Sequence, residues 1–175
     1  LSDVHGDKKR AIQLLQEHGV IDDECQWSAG RSVLVVNGDS TDRGPDGMGT
    51  LRFFYNLAQE AEQAGGRLIH TMGNHDAMIL SMALQHREQH IDYEHEMIFK
   101  GNGGKPSEAK SLSIQHTLRH YVQSFPFMCR VDDVLFQHVD GFRTYEAAMG
   151  NAQTPEERIH KANACANNMA KDAFG

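Results

Sequence analysis

Val33-Leu34-Val35-Val36-Asn37-Gly38-Asp39-Ser40-Thr41-Asp42-Arg43-Gly44 is the stretch from which the rest of the chain can be read. Its first residues carry an apolar, β-branched bias and pass at once into glycine, aspartate and a turn. That pattern predicts a buried strand ending where the Asp39 and Asp42 carboxylates and the Arg43 guanidinium emerge. In open α/β sheets, ligands bind outside that end of the strands. Taken alone the stretch also fits an ordinary turn, because acidic residues after a strand commonly cap a helix or close a loop.

The pattern recurs on both sides. Leu1-Ser2-Asp3-Val4-His5-Gly6-Asp7 lies upstream, and Leu68-Ile69-His70-Thr71-Met72 leads into Gly73-Asn74-His75-Asp76 downstream. The steps from Asp3 to Asp39 and from Asp39 to Asn74 each match one strand-helix-strand unit, roughly thirty residues or more. Neighbouring strand ends would then bring Asp3, His5, Asp39, Asn74 and His75 to one place. Such oxygen and imidazole donors suit a pair of dications such as manganese, iron or zinc.

A chain of 175 residues with 39% hydrophobic content is long enough for a sizeable core, and a single domain over residues 1–175 is expected. The formal net charge of -7 argues against a nucleic-acid grip built on phosphate neutralisation and suits the collection of dications. Cys25, Cys129 and Cys165 lie far apart with no Cys-x-x-Cys spacing, so neither a zinc knuckle nor a disulfide framework is indicated. Cysteine usage of this kind points to a reducing, cytoplasmic compartment. No apolar run reaches the length of a membrane span, and no signal-peptide pattern is visible. The sequence opens on Leu1, just before a motif that should follow a strand, so most of that strand is expected upstream.

The remaining elements follow from periodicity and punctuation. Asp7 to His18 is predicted helical, with Asp7 as a cap rather than a metal ligand and Ala11, Leu14, Leu15 and His18 on one face. Residues 20–30 read as a surface loop anchored by Trp27. Pro45 to Gly49 reads as a turn or loop before a helix over Thr50 to Ala64, whose stripe is Leu51, Phe54, Tyr55, Ala58 and Ala61 and whose end is Gly65-Gly66. Leu68 to Met72 is the next buried strand, and His70 inside it reads as a satisfied core residue. Ala77 to Arg87 has helical spacing, and its start would turn free amides toward an anion. His86, His90 and His95 lie in polar sequence and read as solvated. Gly101 to Pro106 is glycine-rich without P-loop spacing; it reads as a mobile loop and a candidate for the substrate rim. Ser111 to Ser124 is expected as one helix broken by Phe125-Pro126, and Val131 to Gln137 as a strand leading to His138. Thr154-Pro155-Glu156-Glu157 has the form of a helix start, for a helix to about Ala170 on which His160 and Cys165 are structural or solvated.

Asp3-Val4-His5-Gly6, Gly38 to Gly44 and Gly73-Asn74-His75-Asp76 resemble the signature blocks of the calcineurin-like metallophosphoesterases. Asp42-Arg43-Gly44 narrows the resemblance to the phosphoprotein-phosphatase branch, which includes the bacterial and Shewanella-like phosphatases and the symmetrical dinucleotide tetraphosphatases. The resemblance implies an α/β fold: a metallophosphoesterase-type β-sandwich flanked by helices, truncated at both ends in this chain. It implies a dinuclear metal centre (manganese, iron or zinc) bridged by Asp39, with Asp3 and His5 on the first metal and Asn74 and His138 on the second. Arg43, with Asn74, would bind the phosphate; His75 would be the general acid, and Asp42 would fix its ring and raise its pKa. Asp76 takes a supporting role. The family commonly has small residues after the histidine that His138 matches, where this chain has Val139-Asp140. A further ligand histidine following a glycine is expected downstream, and no Gly-His occurs after His138; either this is an excerpt of a longer protein, as the missing first strand favours, or the second metal site is defective.

The implied function is metal-dependent phosphomonoester hydrolysis, most of all on phosphoprotein side chains, by direct attack of water and without a covalent phosphoenzyme. Expected partners are a phosphorylated protein or a small phosphomonoester, with neither nucleic acid nor membrane involved. Two alternatives stand beside it. The same blocks would support hydrolysis of dinucleotide polyphosphates, and a non-catalytic phosphate-binding scaffold would account for the missing histidine and for Val139-Asp140.

Overall fold

Strands β1 (Val33–Asn37) and β2 (Arg67–Thr71) pair in parallel, with Val35 opposite Ile69 and Asn37 opposite Thr71. They belong to a computed structural model that describes residues 1–138 and 150–174. The start of the chain runs along the other edge of β1. The Leu1 amino group donates to the Val35 carbonyl at 3.0 Å, and the Asn37 amide donates to the Leu1 carbonyl at 2.7 Å. β1 is thus flanked by both other motif-bearing segments, and its end becomes the meeting point of their loops.

Helix α1 (Lys8–Glu17) begins where Asp7 accepts a hydrogen bond from the Arg10 amide, and it buries Ala11 and Leu15. Helix α2 (Gly47–Gln63) starts earlier than its periodicity suggested, because the Asp46 carboxylate caps it through the Gly49 amide at 2.8 Å. The cap outweighs the low helix propensity of Gly47 and Gly49. Leu51, Phe54 and Ala61 are buried as expected, while Phe53 and Leu57 take the places foreseen for Tyr55 and Ala58, which are half-buried. Two faces of α2 feed two cores. Phe53, Phe54 and Leu57 pack with Val36 and Leu15 under the sheet, whereas Met48 and Leu51 pack with Ile79, Phe99, Leu112 and Val122 among the helices.

Helix α3 (Asn74–Glu88) likewise starts inside the motif rather than after it. Helix α4 (Tyr93–Gly101), capped by Asp92 through the Glu94 and His95 amides, occupies sequence that gave no helical stripe. The helix expected over 111–124 is two: α5 (Pro106–Ile114) and α6 (His116–Gln123), separated by Gln115 at ψ 84°. The strand expected from Val131 is in fact the turn and second arm of an antiparallel hairpin, β3 (Met128–Val131) and β4 (Val134–Gln137). Asp132 supplies the left-handed turn residue at φ 51°, a conformation aspartate tolerates better than most side chains.

The hairpin joins the parallel pair at the site end. Asn37 Nδ2 donates to the Gln137 carbonyl at 3.2 Å, and the Met72 amide donates to the Pro126 carbonyl at 2.8 Å. Helix α7 (Pro155–Phe174) runs past the expected Ala170. Thr154 Oγ1 accepts from the Glu157 amide at its start, while the Glu157 carboxylate turns to the Gln153 amide rather than to Thr154. Asn163 brackets Met128, donating to its carbonyl and accepting from its amide, each at 3.0 Å, which fixes α7 to β3. His70 is the satisfied core histidine its surroundings predicted. It lies 3.9 Å from Phe125 in a stacked pair, with Ser40 Oγ at 2.8 Å from one ring nitrogen and Tyr121 Oη at 3.3 Å from the other. Val139-Asp140 falls outside the described residues. All three cysteines are free. No helix among the described residues is long and apolar enough to cross a membrane.

Candidate metal centre

The loop after β1 carries Asp39 into the middle of the site, 3% exposed. Its Oδ1 accepts the His75 amide at 2.9 Å. Oδ2 is left facing two imidazoles, His138 Nε2 at 3.1 Å and His5 Nε2 at 3.7 Å. Backbone carbonyls set the tautomer of both rings. His138 Nδ1 donates to the Asn37 carbonyl at 2.8 Å, and His5 Nδ1 to the Thr41 carbonyl at 3.1 Å. Each histidine therefore leaves Nε2 unprotonated on the side of the ring nearest Asp39, the tautomer that outer-shell bonds impose on metal-ligating histidines.

Side-chain donor atoms form two compact groups that share Asp39: His5, Asp39 and His75 in one, Asp3, Asp39 and His138 in the other. Donors bound to one ion at about 2.0–2.2 Å stand roughly 3 Å apart when adjacent, so the His138 to Asp39 separation fits shared coordination. Nitrogen and carboxylate donors of this mixture suit manganese, iron or zinc. Asn74 is exposed at the first position of α3, next to His75.

Two glycines make the crowding possible. A Cβ on Gly73 would collide with the Asp39 amide nitrogen and carboxylate, and one on Gly38, which sits at φ 74°, would come within 2.5 Å of the His138 ring. Backbone strain concentrates here as well. Asp3, His5, Asp39, Asp42 and Arg43 all have φ between 46° and 66°, a region that non-glycine residues enter only when their surroundings hold them there.

The fully buried Asp76 does much of that holding. Its Oδ2 accepts from the Asp39 amide at 2.8 Å and the Gly73 amide at 3.1 Å, and its Oδ1 from the Ser40 amide at 3.1 Å. The loops after β1 and β2 are thereby tied through one carboxylate. Burial pushes Asp76 up to about 6, against the backbone hydrogen bonds that favour its charge.

Beside Asp39 lies a second pair. His75 Nδ1 and Asp42 Oδ2 are 3.1 Å apart, both side chains essentially without exposure. Arg43 lies across the opening and donates to His5 Nε2 at 3.0 Å and His75 Nε2 at 2.9 Å. The His75 pKa is lowered in these surroundings. Burial lowers His75, more than neighbouring carboxylates can offset, and pushes Asp42 up to about 7 with the help of Glu108. Burial thus drives both partners toward neutral forms.

Glu108 and Lys105, which no motif marked, also reach the site. Glu108 Oε1 accepts from the Gly47 amide at 3.2 Å, and Lys105 Nζ donates to the Gly44 carbonyl. Their contacts are tertiary, about sixty residues along the chain. The Gly101 to Pro106 segment packs against the Arg43 turn, where the Arg43 amide donates to the Gly103 carbonyl at 2.9 Å.

Comparison with known proteins gives concordant matches. The family model described as Calcineurin-like phosphoesterase matches residues 1–158. The chain is 40% identical over 80 residues to an uncharacterised protein of Schizosaccharomyces pombe, covering 45% of this chain and 24% of that protein. It is 36% identical over 78 residues to Shewanella-like protein phosphatase 2 of Arabidopsis thaliana, covering 45% of this chain and 20% of that protein. Shewanella-like protein phosphatase 1 of Plasmodium berghei is 34% identical over 80 residues, 46% of this chain and 22% of the relative. Among solved structures, a cold-active protein-tyrosine phosphatase of a psychrophilic Shewanella species superposes with a TM-score of 0.70 at 26% identity. That superposition covers 97% of this chain and 47% of the phosphatase, so the chain spans about half the length of its structural relative.

Proposed function

We propose, since this chain belongs to the calcineurin-like phosphoesterase family, that it forms the metal-binding part of a phosphomonoesterase acting on phosphorylated protein side chains. The observation that carries this reading is Asp39 Oδ2 facing the Nε2 atoms of both His5 and His138, each histidine pinned through Nδ1 to a backbone carbonyl. Asp3, His5, Asp39, Asn74 and His138 would hold two metal ions of the manganese, iron or zinc kind. Such ions would draw charge from the phosphoryl oxygens and make a water nucleophilic near neutral pH.

The chain's own side chains supply the rest. Arg43 spans the opening between His5 and His75, and its planar guanidinium can take two phosphoryl oxygens at once. On substrate binding it would exchange the imidazole nitrogens for those oxygens. His75 then presents Nε2 to the leaving oxygen while Nδ1 stays fixed on Asp42, so that in its acid form it can release a proton to the departing alcohol. Burial of that pair keeps bulk water from competing for the proton. The named Shewanella-like relatives are protein phosphatases, which is the ground for choosing a phosphoprotein substrate over a dinucleotide polyphosphate.

The test is hydrolysis of phosphotyrosine, phosphoserine and phosphothreonine peptides beside diadenosine tetraphosphate, with metal added after chelation. Metal-dependent release of phosphate from a peptide, lowered at least a hundredfold by His75→Asn, is expected. Cleavage of the dinucleotide alone would overturn the substrate class.

A further inference from the structure

The Asp42-Arg43-Gly44 turn is held from outside. Asp42 and Arg43 are consecutive non-glycine residues at φ 66° and 59°, and within the turn itself the Gly44 amide donates to the Asp42 carbonyl at 2.6 Å. The stretch from the end of α4 to the first turns of α5 closes over it. The Gly103 carbonyl accepts the Arg43 amide at 2.9 Å, and the Asn102 carbonyl accepts Arg43 Nε at 3.4 Å. Lys105 Nζ donates to the Gly44 carbonyl and lies 3.7 Å from the Glu108 carboxylate. Glu108 in turn accepts the Gly47 amide at 3.2 Å, at the start of α2. Both ends of the turn are therefore fastened to one helical connection far away in sequence.

We propose that Lys105 is a positioning residue for Arg43. Through its bond to the Gly44 carbonyl, and anchored by Glu108, it seats the Asn102-Gly103 carbonyls on Arg43 and fixes the guanidinium between His5 and His75. The inference rests on the reading of Arg43 as the phosphate-binding arginine. It goes beyond that reading in assigning the precision of the grip to the α4–α5 connection rather than to the motif that contains the arginine. Lys105 makes no contact with substrate in this account.

Lys105→Met keeps the length of the side chain and removes the donor, while Lys105→Arg restores a donor. Amide hydrogen exchange by NMR on the chain loaded with diamagnetic zinc reads the clamp directly. In Lys105→Met, exchange at the Arg43 amide accelerates at least tenfold while Val35 and Val36 keep their protection, and Lys105→Arg recovers most of the difference. Calorimetric titration with inorganic phosphate reads the consequence, an affinity about tenfold weaker in Lys105→Met. Combined with Arg43→Ala, the lysine substitution should produce no further loss, as required of a residue acting through another. Equal loss in the presence and absence of Arg43, or unchanged exchange at Arg43, would overturn the proposal. If Lys105→Met proves unstable, Lys105→Leu, which also lacks a donor, carries the same expectations. Failure of the wild-type chain to bind phosphate would count against the phosphatase reading alone, since the exchange result decides the role of Lys105 independently.

Discussion

Acid should destabilise this chain through His70, and the size of the effect follows from the ring's surroundings. His70 is buried among Phe54, Phe125 and Tyr121, with Ser40 and Tyr121 as its polar neighbours and, among the described residues, no carboxylate bonded to it. Burial pushes its pKa from 6.5 down to about 3. The depressed value means that below pH 6.5 the unfolded chain takes up a proton that the folded chain refuses, so stability is lost as pH falls from there toward the folded value. Each pH unit inside that window costs about 1.4 kcal/mol. Between about pH 7.5 and pH 5, roughly 1.5 units lie inside it, giving about 2 kcal/mol. Asp42 and Asp76, raised to about 7 and about 6, change stability in the opposite sense, gaining it as pH falls. The contribution of His70 is therefore isolated by comparison with His70→Gln, which cannot be protonated. Urea unfolding of the chelated proteins, followed by Trp27 fluorescence at both pH values, should show the wild type losing about 2 kcal/mol more than the variant. The variant is less stable at both pH values because it loses the stacked ring. An identical pH dependence in the two proteins would refute the reasoning.

Gly73→Ala should cost about 1–3 kcal/mol and weaken metal binding at least tenfold, because the new methyl meets the Asp39 amide and carboxylate while φ at -92° leaves the backbone itself unstrained. Urea unfolding and calorimetric metal titration check the two halves separately. Arg43→Lys should lower kcat/KM for a phosphopeptide by about 2 kcal/mol of transition-state binding, roughly thirtyfold, with unfolding unchanged, since a point charge cannot reproduce the fork that now spans His5 and His75.

The sequence announces β1, β2 and the loops behind them because a short apolar run ending in glycine and carboxylates is a local signal. Asp7 as a helix cap and His70 as a core histidine follow from equally local reasoning, and the structure bears both out. What stayed hidden depends on tertiary packing. Helix α4 leaves Tyr93, Met97 and Ile98 exposed, so it shows no buried stripe, and its one clear mark is the capping Asp92. Gln115 divides α5 from α6 without the proline or glycine that usually marks such a break. The Asp132-Asp133 turn sits between residues that read equally well as one strand. At the site, the motifs account for the residues around Asp39; the glycine-rich composition of Gly101 to Pro106 pointed to the segment that holds Lys105 but not to its contact with Gly44, and Glu108 could not be found from spacing. The upward shift of Asp42 and the downward shift of His75 likewise depend on burial, which the sequence does not state.

The most direct measurement is metal stoichiometry of the chelated chain on titration with manganese, beside Asp39→Asn. Asp39 belongs to both donor groups, so two ions per wild-type chain are expected, with the loss of both tight sites in the variant. Retention of wild-type stoichiometry and affinity by Asp39→Asn would contradict a centre built on that shared carboxylate.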